Sequence, residues 1–382
     1  MSEQSMFLVS GERSGDLHAA ELLHALEREL IKAGKRGSFE GLGGPELKKK
    51  YGEGFEDWVE EAAVIGITEV LKKYGYFKRK FAEVLERILR IEPDAVILVD
   101  YPGFNLRLAK ALRAKGYKGK VCYYVSPQVW AWNKGRIPKM AETLDLMMCV
   151  FEFEKALYEE SGLLTEWVGH PMVEELEERR DEGIQREAHL IGLFPGSRSR
   201  EVRSLLPTML EAAYKVHQQY PEYRFELAVA SERVLELCHE MLHQSPLYYT
   251  GALKYEVGQS YRLMQSATAA WVASGTATLE SGFYGMPYCL VYRVSSLTYW
   301  IAKALVRIPF IGMVNILAKT QVVREFIQEE VTAENLSDEM ERMLRDGQYR
   351  STMIESLERV KDQLGGGGAH EKAAQAIVKA LS

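Results

Sequence analysis

The stretch Ala95-Val96-Ile97-Leu98-Val99-Asp100-Tyr101-Pro102-Gly103-Phe104-Asn105-Leu106 decides the fold. Ala95–Val99 is a short apolar run and reads as a buried strand. A carboxylate follows at once, then a proline-glycine turn and a helical-period segment, Leu106–Lys115. Strand, polar turn and helix form the unit of a parallel α/β sheet. Asp100 then stands at the carboxyl end of the strand, where open parallel sheets gather their ligands. A base that takes a proton from an acceptor hydroxyl must sit in such a place. Capping the following helix is the competing role for Asp100, but Asn105 is better placed for it, which leaves Asp100 for chemistry.

The same pattern recurs on both sides. Strands are expected at Met6–Ser10, Lys120–Val125 and Leu146–Phe151, with amphipathic segments at Asp16–Lys32 and Tyr76–Arg90. It restarts with His189–Phe194, Phe225–Ala230, Ala269–Ala273 and Tyr288–Tyr292. Pro171 and the charged run Glu174–Glu182 mark a boundary between the halves. The reading is α/β with two Rossmann-like lobes, 1–170 and 171–345, followed by C-terminal helices over 346–382. Gly365-Gly366-Gly367-Gly368 interrupts that tail, since each glycine costs a helix about 1 kcal/mol against alanine. The last segment, His370–Leu381, is therefore expected as a separate helix.

Composition agrees with two globular domains: 382 residues, 47% hydrophobic and 27% charged. A net charge of −6 argues against general nucleic-acid affinity. Cys122, Cys149, Cys238 and Cys289 form no Cys-x-x-Cys pair and read as buried thiols. The first residues carry no export signal, and no apolar run approaches the roughly 20 residues of a spanning helix. A cytoplasmic protein, resting at most on a membrane surface, is expected.

The turns after the strands supply the other candidates. After the first strand, Ser14, Gly15 and Asp16 follow Gly11-Glu12-Arg13, with glycines for a tight turn and Asp16 to cap the next helix. Ser126, Gln128 and Trp130 lie in a loop with a second tryptophan, Trp132, and offer an apolar and hydrogen-bonding wall. His170 follows a strand between the lobes, where a structural and a catalytic histidine are equally expected. In the second half, Gly196, Ser197 and Arg198 can cradle a diphosphate with backbone N–H groups and a guanidinium. Ser274, Gly275 and Thr276 open another helix, and Glu280, one turn in, can bind ribose hydroxyls. No His/Cys/Asp cluster has metal-ligand spacing.

One segment is out of character for a soluble surface. Val64, Ile67, Val70, Leu71, Tyr74 and Phe77 recur among five cations, Lys72, Lys73, Lys78, Arg79 and Lys80. Apolar residues beside basic ones suit an anionic lipid surface. The alternative is an amphipathic helix packed on the core.

Together these loops resemble the lipid-A-disaccharide synthase family, inverting glycosyltransferases of GT-B fold. The resemblance spans nearly the whole chain. It is carried by Ser14-Gly15-Asp16, Asp100 with Phe104-Asn105, Tyr124-Val125-Ser126-Pro127 with Val129-Trp130-Ala131-Trp132, Gly169-His170, Leu193 to Arg198, and Ala273 to Glu280. It implies an active-site cleft between two lobes and a UDP-2,3-diacylglucosamine donor. It also implies a 2,3-diacylglucosamine 1-phosphate acceptor, no cofactor and no catalytic metal. Asn315 matches a family asparagine and is expected to line the donor cleft. The resemblance further implies work at the anionic cytoplasmic face of the inner membrane. The C-terminal helix is expected to cross back onto the first lobe or to swap in a homodimer. Two departures stand out: Arg13 replaces a small residue, and Gly103 replaces a second aspartate, leaving Asp100 without a competitor as base. A UDP-hexosamine 2-epimerase, another glycosyltransferase, or a non-catalytic nucleotide- or lipid-binding protein are the alternatives.

Overall fold

The computed structural model describes residues 2–62, 74–294 and 309–382. Two compact units emerge: Met1–Glu174 with Leu364–Ser382, and Glu175–Gln363.

The first unit is built on a seven-stranded parallel sheet in the order β3-β2-β1-β4-β5-β6-β7. Its strands are β1 (Ser2–Ser10), β2 (Lys35–Gly43), β3 (Phe55–Asp57), β4 (Ala95–Val99), β5 (Lys120–Tyr124), β6 (Leu146–Cys149) and β7 (Thr165–Trp167). Alternate side chains feed two cores, because successive residues of a strand point to opposite faces. Val96 and Leu98 pack with Leu108, Leu112 and Ile88 on one face. Ile97 and Val99 pack with Leu22, Leu26 and Ile377 on the other. Val99 is level with Ser10 of β1 and with Tyr124 of β5. The turns after β1, β4 and β5 therefore leave the sheet side by side, and this places the first half of the candidate site.

The second unit holds a six-stranded parallel sheet in the order β10-β9-β8-β11-β12-β13. These strands are β8 (Glu187–Phe194), β9 (Arg224–Val229), β10 (Leu253–Val257), β11 (Ala267–Ala273), β12 (Tyr288–Tyr292) and β13 (Glu325–Ile327). Central β11 is buried throughout.

Strands β2, β3, β7, β10 and β13 are additions to the sequence reading. Four of them are outermost in their sheets and the fifth, β2, lies next to an edge. Half-exposed strands lack the continuous apolar run that announces a central one. The C-terminal helices divide between the two units. Helix Gly347–Asp362 belongs to the second unit, and helix Ala369–Ala380 to the first. There Ala373, Ala374 and Ile377 join the core beneath helix Arg13–Lys32. His370 Nδ1 lies 3.1 Å from Glu174 Oε2, and Arg28 pairs with Glu371. Small side chains on the last helix permit the close approach that burial rewards. All four cysteines are buried free thiols.

Candidate active site

Asp100 follows the last residue of β4 with φ +46°, and Tyr101 with φ +49°. Two successive non-glycine residues in the left-handed region are costly, and such strain persists only where the surroundings impose it. Here they do. The Asp100 N–H donates to Tyr124 O at 2.9 Å. Its carbonyl accepts from the Tyr123 hydroxyl at 2.6 Å and from Asn105 Nδ2 at 2.7 Å. Asn105 is thus not the helix cap expected of it. Tyr101 occupies the cap position, and buried Asn105 ties β4 to its own turn through the carbonyls of Val99 and Asp100. Burial, reinforced by the charge of Glu12, raises the Asp100 carboxyl from 3.8 to about 6. A desolvated carboxylate with that affinity is a competent proton acceptor near neutral pH.

The turn after β1 differs from expectation at Asp16. Glu12, not Asp16, precedes helix Arg13–Lys32 as its cap residue, and Asp16 lies inside the first turn. The Asp16 carboxylate reaches across to another helix and accepts from the N–H groups of Gly44, Glu46 and Leu47, at 2.7, 2.9 and 3.3 Å. It caps helix Pro45–Tyr51, satisfying donors that open every helix, and its oxygens are spent on structure. Gly15 is buried beside it, whereas Ser14 is exposed.

In the turn after β5, Ser126 and Trp130 are buried and Gln128 is exposed. The first two are organised by a residue the sequence reading missed. The Ser126 hydroxyl donates to Glu154 Oε2 at 2.6 Å, Trp130 Nε1 donates to Glu154 Oε1 at 2.8 Å, and the Phe151 N–H adds a bond at 3.1 Å. Burial raises this carboxyl from 4.5 to about 7, against the pull of those bonds. Its signal was faint: a glutamate after a strand end reads as an ordinary helix-start acid. His170 packs against Phe151, ring centroids 5.5 Å apart, and its Nδ1 accepts from the Met172 N–H at 3.3 Å. Burial lowers its pKa to about 4, so it is neutral at physiological pH.

In the second unit the turns after β8 and β11 enclose a cavity of about 470 Å³ lined by Gly196, Ser197, Arg198, Ser274, Gly275, Thr276 and Glu280. The structure brings together every donor-side candidate except Asn315. Gly196 has φ +101°, a conformation closed to other residues without strain, and it turns the chain into helix Ser199–Gln219. Gly275, at φ +149°, does the same for helix Thr276–Phe283. Arg198 has a side chain 63% exposed and a 2.9 Å ion pair with Glu201. Burial, and then the charge of Glu175, raises Glu280 to about 7, with Thr276 hydrogen-bonded to it.

Asn315 does something other than line this cavity. It is fully buried; its Nδ2 donates to Val323 O and Glu325 Oε1, and its Oδ1 accepts from the N–H groups of Val322 and Val323. With both ends of the amide engaged, it holds the approach to β13.

Of the proposed lipid-facing residues, Val64, Ile67, Val70 and Leu71 lie outside the described residues. Tyr74 is 60% exposed, whereas Phe77 packs against the core. Lys78 and Arg79 are exposed, but Lys80 is buried and paired with Glu56 and Glu83, which removes it from the basic face. No helix among the described residues is long and apolar enough to cross a membrane.

Two Rossmann-like units, one with a desolvated carboxylate at a strand end and the other with a glycine-turned cavity at two helix starts, define a GT-B nucleotide-sugar enzyme. Solved structures share the fold. UDP-GlcNAc 2-epimerase from Neisseria meningitidis bound to UDP-GlcNAc superposes with a TM-score of 0.57 at 10% identity, covering 100% of this chain and 99% of that one. The Methanocaldococcus jannaschii UDP-GlcNAc 2-epimerase in complex with UDP-GlcNAc and UDP gives 0.53 at 14% identity, covering 99% of each. At such identities the likeness is one of fold alone. Sequence is more specific. Residues 6–379 match the lipid-A-disaccharide synthetase family. The lipid-A-disaccharide synthase of Trichlorobacter lovleyi is 38% identical over 98% of this chain and 96% of its own length. That of Geobacter sulfurreducens is 38% identical over 98% and 97%. The chain belongs to the lipid-A-disaccharide synthase family, and is therefore a glycosyltransferase of lipid A biosynthesis that uses a UDP-sugar donor.

Proposed function

We propose that Asp100 is the general base of an inverting transfer from UDP-2,3-diacylglucosamine to 2,3-diacylglucosamine 1-phosphate. The primary hydroxyl of the acceptor attacks the anomeric carbon of the donor and gives its proton to the Asp100 carboxylate. The bond from that carbon to the diphosphate oxygen breaks, and UDP leaves with the electron pair. Arg198 and the N–H groups near Gly196-Ser197 and Gly275-Thr276 meet the charge that develops on the leaving group. Glu280 holds the ribose. The single observation that carries this reading is the desolvated carboxylate of Asp100, raised to about 6 on a backbone clamped by Tyr123, Tyr124 and Asn105.

Ser126 and Trp130, held by Glu154, form the wall beside the acceptor, with His170 behind it. The segment from Val64 to Tyr74 meets the cytoplasmic face of the inner membrane and admits the acyl chains; exposed Tyr74 and the neighbouring cations Lys78 and Arg79 support this. Release of UDP, followed with and without the lipid acceptor, tests the whole. Transfer predicts release only with acceptor. An epimerase would convert the donor with no acceptor present, and a binding protein would release nothing.

A further inference from the structure

A second cavity, of about 390 Å³, lies in the first unit and is lined by Pro102 and Gly103, which follow Asp100 and Tyr101 in the turn after β4. Helix Pro102–Ala114 presents Arg107 and Lys110 to it, three residues apart and so on one face. Arg136 and Lys139 face them from the segment Lys134–Ala141. Leu106 and Met140 add an apolar lining, and Glu142 is the only carboxylate in the wall among the described residues.

Elsewhere on the same helix Arg113 is neutralised by Asp145. Arg107, Lys110 and Lys139 have no carboxylate partner among the described residues. Uncompensated cations in a concave, partly apolar site focus a positive potential on whatever enters it. A side chain at Gly103 would meet nothing within 4 Å, so the space beside this residue is open. A groove with cations along both walls and apolar side chains between them, beginning two residues after Asp100, suits a phosphorylated amphiphile that presents a hydroxyl to Asp100.

We propose that this groove is the subsite for the acceptor's phosphate, with Arg107, Lys110 and Lys139 binding its oxygens. The inference rests on the reading of Asp100 as base for a phosphorylated lipid acceptor. It accounts for how the acceptor is oriented: the phosphate is anchored by charge at one end so that the hydroxyl arrives at the other.

The test is the double variant Arg107→Gln/Lys110→Gln, both exposed positions, assayed in detergent micelles with the phosphorylated acceptor. KM for the acceptor should rise about tenfold or more, the scale of one lost charge-assisted contact, while KM for the UDP-sugar stays the same. The dephosphorylated acceptor, used as a competitive inhibitor, should bind variant and unmodified protein equally. A similar loss with both compounds would overturn the proposal, as would an unchanged KM. So would weaker flotation with phosphatidylglycerol vesicles at an unchanged acceptor KM, which would make the groove a membrane headgroup site. If the unmodified protein transferred no sugar to the acceptor, the reading of Asp100 itself would fail; if it did and only the variant result were wrong, the subsite alone would.

Discussion

The Tyr123 hydroxyl, on the strand beside β4, donates to the carbonyl oxygen of Asp100 at 2.6 Å. It shares that oxygen with Asn105 Nδ2, which comes from the helix that follows. A left-handed aspartate is thus locked from two directions, by groups neither of which touches its carboxylate. Tyr123 is fully buried in the core, so the clamp is as rigid as the sheet itself.

Tyr123→Phe keeps the ring and removes the bond. Stability should drop by about 1 kcal/mol, the usual net worth of one hydrogen bond. The catalytic effect should be disproportionate: kcat falls severalfold while KM for the UDP-sugar is unchanged. A melting-point loss with kcat intact would show that the clamp serves only the fold.

Asp100→Asn keeps the shape and cannot accept a proton, so turnover should fall by about 10²-fold or more with UDP binding retained. In the unmodified protein, the carboxyl at about 6 must be ionised to act. The rate should therefore be low well below pH 6, climb through that value and level off above it. His170, lowered to about 4, would place the climb two units further down. Glu154 and Glu280 both titrate near 7, so Glu154→Gln and Glu280→Gln serve as controls and should leave the limb in place. Its loss in either variant would relocate the base.

Arg198→Ala should weaken UDP binding and slow transfer, and Arg198→Lys should restore only part, since lysine lacks the planar fork. Isothermal titration with UDP reads the first effect. In the free protein Arg198 is paired with Glu201, so Glu201→Gln should not weaken UDP binding. Activity in the presence of a chelator should persist; its loss, reversed by Mg²⁺, would defeat the account of leaving-group stabilisation given above.

Ile67→Ser/Leu71→Ser distinguishes lipid contact from core packing in the basic apolar segment. Lipid contact predicts an unchanged melting temperature, lost binding to anionic vesicles, and activity that falls more on long-chain acceptors than on short soluble ones. Buried aliphatics would instead cost about 2–5 kcal/mol each and unfold the protein. Vesicle binding by the unmodified protein should weaken in high salt, because screening acts over about 8–10 Å near physiological strength.

Central strands β4, β5 and β11 were legible as apolar runs because both their faces are buried, and the residues that follow them were legible because parallel sheets bind at strand ends. The glycine turns at Gly196 and Gly275 were visible for the same local reason, and these two turns line one cavity. What depends on partners distant in the chain was not legible. Asp16 looked like the cap of its own helix, but its acceptors point at Gly44, Glu46 and Leu47, about thirty residues on, which the β1–β2 pairing brings alongside. Asn315 looked like a ligand residue and is buried among backbone groups. Glu154 carried only a faint signal, because its importance lies in the Ser126 and Trp130 donors that folding delivers to it. The sequence by itself determined where strands end and which polar groups stand there, since both follow from neighbouring residues. Only the tertiary structure decided which of those groups remain free, because hydrogen-bonding capacity is consumed by whatever the fold packs against it.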